Sequence, residues 1–224
     1  MIENLKEMMI ERLRLFRARR NRYPARVIFY RDGVSESQYD AVVKQEYPQI
    51  LAAFSALGIN PPPKLTLVVV GKRHHTRFYP TSKEHMADGR TGNPKPGSIV
   101  DRLVTDVYDF DFFLQAHEGI QGTARPCHYY VLRDSQNFSA DSLQQLTNDL
   151  SYTFARATRA VSVCTPAYYA DIACERGRCY LTKFLSPDNR AELDDLSDAD
   201  FDAELKAQWD GGPHRRLSAS MFYL

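Results

Sequence analysis

Two short apolar segments separated by one amphipathic segment constrain the fold of this chain more than any other feature. Residues 26–30 (RVIFY) and 65–70 (LTLVVV) have the length and the β-branched content of buried strands. Between them, a capping box at 35–38 starts a run of apolar residues at helical spacing that continues to about residue 58, with a kink expected at Pro48. Strand, helix and strand in this order are typical of an α/β sheet.

The other elements are expected on both sides of this unit. Helices are predicted at 2–20, from Ser139 to about Thr158, from Thr165 and Pro166 onward, and, as an acidic segment, at 197–209. Strands are predicted at 98–101, 110–116 and 128–132. The polar stretch 79–98 is rich in Gly and Pro and has no periodicity, so a long exposed loop is expected there.

Length and hydropathy place the chain in a broad class. With 224 residues, 43% of them hydrophobic, it has the size of one large domain with a substantial core. No apolar run approaches the ~20 residues of a membrane span, and the charged N-terminus lacks the apolar core of a signal peptide. We therefore expect an intracellular, cytoplasmic protein with no membrane partner.

The formal net charge of +1 conceals two segments of opposite sign. Residues 1–31 carry nine Lys/Arg against three acidic residues, whereas residues 188–210 carry nine acidic residues against two bases. A near-zero net charge is therefore compatible with a polyanionic partner such as a nucleic acid.

Several functional classes find little support. Four cysteines occur without a CxxC pair, which favours reduced, buried thiols over zinc, and a metal site at Cys174 and Cys179 is the weaker alternative. The stretch 117–125 lacks the Gly-Lys-Ser/Thr ending of a P-loop, which argues against ATP or GTP binding. No Ser or Cys lies in the Gly-x-Ser-x-Gly elbow of a nucleophilic hydrolase.

Two aspartates lie where carboxylates are often functional. Asp32 follows a strand, where open α/β sheets place their ligand sites, and Asp171 lies in the first turns of a helix. For an isolated Asp-Gly, a turn aspartate that satisfies its own backbone is the more usual explanation of a residue such as Asp32. A favourable interaction with the helix dipole is a similar alternative for Asp171. Neither position alone decides between these alternatives.

A basic segment directly follows the second strand. Residues 72–77 (KRHHTR) are polar and mostly cationic, and they precede Phe78 and Tyr79. A solvated loop is the ordinary explanation, but the position of these residues at a strand end beside aromatic residues strengthens the case for phosphate contacts. Zinc binding by His74 and His75 is disfavoured, because neighbours on an extended segment point in opposite directions.

Four segments carry a resemblance that extends over nearly the whole chain. They are IFYRDGVSESQ (28–38), KRHHTRF (72–78), HEGIQGTARPCHYYVL (117–132) and TPAYYADIACERGR (165–178). In this order and at this spacing they resemble the PIWI domain of eukaryotic Argonautes. The resemblance implies an α/β fold, an RNase H-like mixed sheet flanked by helices, which lacks its first strands in this chain. Residues 1–224 are then the C-terminal portion of a PIWI domain, with a long loop at 79–98 and an acidic peripheral segment at 184–212.

The resemblance also implies metal-dependent RNA cleavage. Asp32 and Asp171 match two ligands of the pair of Mg2+ (or Mn2+) ions with which such proteins cut a target RNA paired to a small guide RNA. The family's other aspartate and its glutamate match sequence before Met1. The parent protein is therefore expected to be an RNA-guided endoribonuclease, and this chain alone to be inactive. The alternative is a guide-binding silencing module that recruits partner proteins without cutting.

A groove for the guide RNA is implied as well. The matching positions are Lys72, Arg73, His75, Arg77, His117, Arg125, Arg156, Arg159, Ser162, Tyr168, Arg176 and Leu224. Arg176 and the Leu224 carboxylate are expected near the guide 5′-phosphate, and base pairing then selects the target. Cys127 stands where the family commonly has serine. The expected partners are guide RNA, target RNA, further Argonaute domains and silencing proteins.

A third hypothesis is that the chain is a protein-interaction domain with an acidic tail.

Overall fold

The computed structural model describes residues 1–87, 90–182, 186, 196–209, 213–214, 216–217 and 219–224. These residues form two compact units, Met1–Ala167 and Tyr168–Leu224. The first unit contains the sheet, and the second is helical. That residues 1–224 form one domain stays a prediction.

Five strands form one mixed sheet among the described residues of the first unit. They are β1 (Arg26–Asp32), β2 (Lys64–Gly71), β3 (Ser98–Val100), β4 (Asp111–Gln115) and β5 (Cys127–Asp134). Their order is β1-β2-β5-β4-β3, with β1 and β2 parallel and every other pair antiparallel. Each predicted strand is confirmed, with shifts of one or two residues at some ends.

This topology brings several strand ends to one side of the sheet. Asp32 at the end of β1 is in register with Val70 of β2, and Gly71 at the end of β2 is in register with His128 near the start of β5. Leu114 near the end of β4 pairs with Cys127. The carboxyl ends of β1, β2 and β4 therefore meet the amino end of β5, and this side is called the carboxyl edge below.

Alternating side chains of β2 contribute to apolar clusters on opposite faces of the sheet. On one face, Leu65 joins residues of α1 (Leu5–Arg20) and of the helix α3 (Tyr47–Ala56). On the other face, Val68 and Val70 pack with aromatic residues of β4 and β5 and with Leu143 of α4 (Ala140–Ser151). Helices thus flank the sheet on both faces, as the motifs implied.

The connection from β1 to β2 is helical but irregular. It consists of a 3-10 turn (Glu36–Gln38), a short α2 (Tyr39–Ala41), a π-helical turn (Val42–Glu46) and α3. The predicted capping box is present, with the Ser35 amide donating to the Gln38 side chain at 3.0 Å. The irregularity expected at Pro48 takes the form of the π turn just before it. Proline has no N–H, so the carbonyl four residues before Pro48 loses its usual helical partner. That carbonyl lies within the π turn.

Helix α4 ends at Ser151, seven residues before the predicted end at Thr158. The amides of Tyr152 and Thr153 donate to carbonyls only three residues back, each at 3.1 Å, and this tightening ends the helix. Phe154 is nevertheless buried, because the turn directs it into the protein. Apolar spacing therefore identified a core residue correctly but assigned it to the wrong element.

The 79–98 loop is less exposed than predicted. It contains a 3-10 turn (Lys83–His85) and a bridge between Met86 and Pro94, and residues 88–89 lie outside the described structure. Asn93 and Pro94 are both buried. The expectation of an exposed loop is wrong at these two positions.

The predicted helices of the C-terminal region are confirmed. Helix α5 (Thr165–Tyr180) begins at Thr165 itself, and α6 (Asp198–Gln208) is capped by Ser197, which accepts from the Asp200 amide at 3.3 Å. Of the acidic segment 184–212, only residues 186 and 196–209 are described. Across the described part of the chain, no helix combines the length and the apolar character that crossing a membrane requires.

Candidate nucleic-acid interface

Asp32 lies at the carboxyl edge, as the sequence predicted. Its side chain is exposed, and its Oδ1 accepts from the Gly33 amide at 2.6 Å. Gly33 has a φ of +80°, a left-handed conformation that lets the chain leave the strand sharply. The turn explanation for Asp32 is therefore correct as local structure. It does not compete with a metal-binding role, since a carboxylate has two oxygens.

A buried ion pair fixes this strand end. Arg31 Nε lies 2.8 Å from Glu46 Oε2, and Arg31 Nη2 lies 3.0 Å from Glu46 Oε1. Glu46 is fully buried on the π turn, and Oε1 also accepts from the Ile2 amide at 2.9 Å. Through Nη1, Arg31 donates to the carbonyl of Asp32. No sequence pattern predicts Glu46, because a single acid inside an amphipathic helix usually faces solvent.

The cysteines divide into two kinds. Cys127 and Cys164 are buried and reduced, as expected, but Cys174 and Cys179 are exposed, which contradicts the expectation of burial. Burial, with a smaller contribution from the Asp32 carboxylate, raises the pKa of Cys164 to about 12, and it raises the pKa of Cys127 further. Both buried thiols are therefore neutral at physiological pH and are poor metal ligands.

Residues 72–75 alternate between half-buried and exposed side chains. Arg73 and His75 are exposed, whereas His74 turns inward, where a ring nitrogen (Nε2) lies 2.9 Å from the Pro126 carbonyl oxygen and the ring meets Phe113 edge-on at 5.0 Å. Burial is the main cause that lowers the pKa of His74. The two histidines point apart, as predicted, so His74 is a packing residue.

Lys72, His117 and Arg125 are brought together at the carboxyl edge. Arg125 Nη1 donates to the Lys72 carbonyl at 3.2 Å. Burial, and to a lesser extent the Arg125 charge, lowers the pKa of Lys72. Burial, followed by the Lys72 charge, lowers the pKa of His117 to about 4. The imidazole is therefore neutral at pH 7, near the cationic Lys72 side chain.

The other predicted contacts in the first unit are less closely grouped. Arg77 Nη1 donates to the carbonyls of His74 and Thr76, at 3.2 and 2.8 Å, so this guanidinium also folds back onto its own segment. Arg159 pairs with Glu118 at 2.9 Å, which connects the 117–125 loop to the chain beyond α4. Arg156 is exposed and Ser162 is half-buried.

Asn93 anchors the 117–125 loop. Its Nδ2 donates to the Gly122 carbonyl at 2.9 Å, and its Oδ1 accepts from the Ala124 amide at 2.8 Å. A Cβ at Gly119 would lie 2.4 Å from Asn93 Nδ2, so the side chain and the loop fit only with glycine there. The polar, Pro-rich context of Asn93 gives no indication of this tertiary role.

In the second unit, Tyr168, Asp171 and Arg176 are exposed residues of α5. Tyr168 and Asp171 are three residues apart, so they lie on one helix face. Leu224 is exposed, and its amide donates to the Met221 carbonyl at 3.1 Å. Asp32 belongs to the first unit and Asp171 to the second, and their joint role as metal ligands stays a prediction. Within the described ranges, no group of three or more His, Cys, Asp or Glu residues is arranged to hold a metal ion.

Residues 1–182 match the model of the Piwi domain family. This chain belongs to that family. It is 51% identical over 176 residues to Protein argonaute MEL1 from Oryza sativa subsp. japonica, which covers 78% of the chain and 16% of the relative. It is 47% identical over 173 residues to Protein argonaute 5 from Arabidopsis thaliana, which covers 76% of the chain and 17% of the relative. The chain thus spans about a sixth of the length of these Piwi relatives.

Solved structures of Argonautes share the fold. The C-terminal lobe of a budding yeast Argonaute matches all of this chain with a TM-score of 0.85 at 32% identity, over 45% of that structure's chain. Kluyveromyces polysporus Argonaute with a guide RNA matches all of the chain, also with a TM-score of 0.85, at 30% identity and over 27% of its own length. The RNase H-like fold of the Piwi family and the resemblance to eukaryotic Argonautes, both expected from the motifs, are thereby confirmed.

Proposed function

We propose that this Piwi chain holds the backbone of a small guide RNA and contributes two carboxylates to the cleavage of an RNA paired with that guide. The observation that carries the proposal is the grouping of Lys72, His117 and Arg125 at the same sheet edge as Asp32. Cations beside an exposed carboxylate suit a phosphodiester near a metal ion. The relative from Kluyveromyces polysporus was solved with a guide RNA, which supports the same ligand here.

The donor atoms fit the proposed metal. Asp32 and Asp171 are both exposed and both offer carboxylate oxygens, which Mg2+ and Mn2+ prefer. When bound, two such ions supply an activated water and stabilise the leaving oxygen. The contribution of the chain is to position the RNA backbone through its cations and to hold the backbone of Asp32 through Arg31 and Glu46.

Guide binding is tested by salt titration with the intact protein that contains this chain. We expect the affinity for a 5′-phosphorylated single-stranded RNA to fall with salt, with a log-log slope of about −0.7 for each phosphate contact. Fluorescence anisotropy at several salt concentrations measures this slope. A flat response would show that the protein is not an RNA-backbone binder and would favour the protein-interaction hypothesis.

Cleavage is tested with Asp32→Asn in the intact protein. We expect the cleavage rate of a fully paired target in Mg2+ to fall by more than the roughly 10- to 100-fold that loss of an outer-shell metal partner costs. Asp40→Asn is the matched control, because Asp40 is an exposed carboxylate that pairs with Lys44 on the helical connection and is not one of the two proposed metal ligands. RNA binding with no cleavage by the wild-type protein would favour the non-cutting silencing module.

The cellular setting belongs to the same proposal. Target RNA, the remaining Argonaute domains and silencing proteins are the proposed partners, and the cytoplasm is the proposed compartment. Imaging of the tagged intact protein together with sequencing of co-purified RNA checks both, and a protein that carries no small RNA would contradict the assignment.

A further inference from the structure

Gln115 is a buried amide at the carboxyl edge with an unusual partner. It is the last residue of β4, is 1% exposed, and directs its side chain toward His117 two residues further on. Gln115 Nε2 lies 2.7 Å from the His117 carbonyl oxygen and 3.3 Å from Nδ1 of the same histidine. One amide group therefore contacts both the backbone and the ring of His117.

The bond to the carbonyl assigns the orientation of the amide, and the contact with Nδ1 favours one position of the ring proton. A carbonyl oxygen only accepts hydrogen bonds, so the Gln115 atom beside it must be the NH2 nitrogen. That nitrogen has a second hydrogen, which can be donated to Nδ1 only if Nδ1 is unprotonated. In a neutral imidazole the proton then lies on Nε2.

This arrangement lowers the stability of the folded protein. Gln115 Oε1 is buried and has no hydrogen-bond partner among the described residues. Burying an unsatisfied acceptor destabilises a fold, and an apolar side chain at this position would avoid that cost. Packing alone thus does not account for an amide here.

The ring beside Gln115 is one for which the proton position matters. Burial and the neighbouring Lys72 lower the pKa of His117 to about 4, so the ring is neutral at pH 7. A neutral imidazole has one N–H donor, and only that nitrogen can donate to a phosphate oxygen. A fully charged imidazolium would donate from both nitrogens and would need no such control.

We propose that Gln115 is a positioning residue that holds His117 as the Nε2–H tautomer and so presents this N–H to a phosphate of the bound RNA backbone. The inference rests on the proposed function for its ligand, but the tautomer itself is a property of the free protein. Gln115 does not contact RNA in this proposal and acts only through His117.

The tautomer is measured directly in the wild-type protein. Histidine-selective 15N labelling of the intact protein, with His117→Gln to assign the resonance, distinguishes a protonated from an unprotonated Nδ1. We expect the Nε2–H tautomer to dominate at pH 7. A dominant Nδ1–H form, or an even mixture, would overturn the inference whether or not RNA binds.

The RNA-binding role is measured with Gln115→Met, which keeps the shape of the side chain but removes the donor. We expect both tautomers to become populated and the RNA affinity to fall about three- to tenfold, the effect of one hydrogen bond. Gln144→Met is the matched control, since Gln144 is also buried but donates to Asp101, at 3.0 Å, instead of to His117.

A double-mutant cycle separates positioning from general stability. In a His117→Ala background, Gln115→Met should have no further effect on RNA affinity, because the residue through which it acts is gone. An equal loss in both backgrounds, or no loss in either, would overturn the positioning role. Absence of salt-dependent RNA binding by the wild-type protein would instead contradict the proposed function. The tautomer measurement would still test whether Gln115 holds His117 as the Nε2–H form.

Discussion

At the residue scale, Glu46 is a fully buried carboxylate whose two oxygens both have partners. It receives two hydrogen bonds from Arg31 and one from the Ile2 amide, at 2.8 to 3.0 Å. A buried charge is tolerated only when it is paired in this way. Because Arg31 also bonds the Asp32 backbone carbonyl, Glu46 on the helical connection between β1 and β2 supports the backbone of the residue proposed to bind metal.

Removal of this carboxylate should be costly. We expect Glu46→Ala to lower the free energy of unfolding by about 3–5 kcal/mol, the usual effect of leaving the partner of a buried ion pair uncompensated. Urea denaturation measures the change. Glu36→Ala, at an exposed position on the preceding 3-10 turn, should change stability by less than about 0.5 kcal/mol. Similar values for the two variants would show that the pair contributes nothing specific.

His117 should make stability depend on pH. Its pKa is about 4 in the folded protein, because burial and Lys72 disfavour the charged ring, whereas an unfolded histidine has a pKa of about 6.5. Between these values the unfolded state binds a proton that the folded state does not, so stability is complete above about pH 6.5 and falls as the pH decreases toward 4.

Unfolding measured from pH 7 to pH 4 in wild type and His117→Asn tests this dependence. The variant should lose less stability over that range than wild type does. His75→Asn, at an exposed position on the 72–77 segment, is the control and should follow the wild-type curve. Parallel curves for wild type and His117→Asn would contradict the lowered pKa.

At the scale of elements, the 117–125 loop owes its shape to a residue about thirty positions away. The Asn93 side chain bonds the Gly122 carbonyl and the Ala124 amide, which among the described residues have no backbone partner from a neighbouring strand or helix. Gly119 has no side chain and so leaves room for the Asn93 amide. Loops carry buried polar groups only when such partners exist. The loop presents His117 and Arg125, so Asn93 is part of the support for the candidate interface.

Asn93→Ala should loosen this loop without unfolding the sheet. We expect faster hydrogen exchange at the Ala124 amide, which loses its acceptor, and little change at amides within β2. Lys95→Ala, at an exposed position in the same loop, should leave the exchange pattern unchanged. Unaltered exchange at Ala124 in the Asn93 variant would show that the loop holds its shape by other contacts.

The elements also show which features a sequence reveals. Runs such as 65–70 are apolar because the strand is buried on both faces, so they were predicted to within a residue at each end. Helix α4 was predicted too long because Phe154 keeps the apolar spacing after the backbone bonding has changed. The π turn and the Asn93 contacts depend on tertiary packing, which leaves no local pattern.

At the scale of the whole molecule, strand order decides which residues can act together. Asp32, Lys72 and His117 are far apart in the sequence, yet each lies at or just after the carboxyl-edge end of a strand. Asp32 is the last residue of β1, Lys72 directly follows β2, and His117 comes two residues after β4. The apolar pattern of residues 26–30 is sufficient to predict that Asp32 lies at a strand end. Bringing Lys72 beside Arg125 required the antiparallel pairing of β2 with β5, which the sequence alone did not supply.

Because the candidate interface lies at the carboxyl edge, replacing the two arginines near opposite ends of β5 should affect RNA binding differently. Arg125→Ala should reduce RNA affinity and make the salt slope shallower by about 0.7, the contribution of one phosphate contact. Arg133 is also exposed but lies near the opposite end of β5 and pairs with Leu67, so Arg133→Ala should leave the slope unchanged. Equal effects would indicate non-specific attraction to the whole surface.

The outer position of β1 has a practical consequence for handling this protein. Among the described residues, β1 pairs with β2 on one side only, which leaves the peptide groups of its other side available to a further strand. Open strand edges recruit other chains, and charged side chains such as Arg26 counteract this only in part. A preparation of this chain alone should therefore self-associate as its concentration rises, and light scattering across a dilution series should detect oligomers that dissociate on dilution.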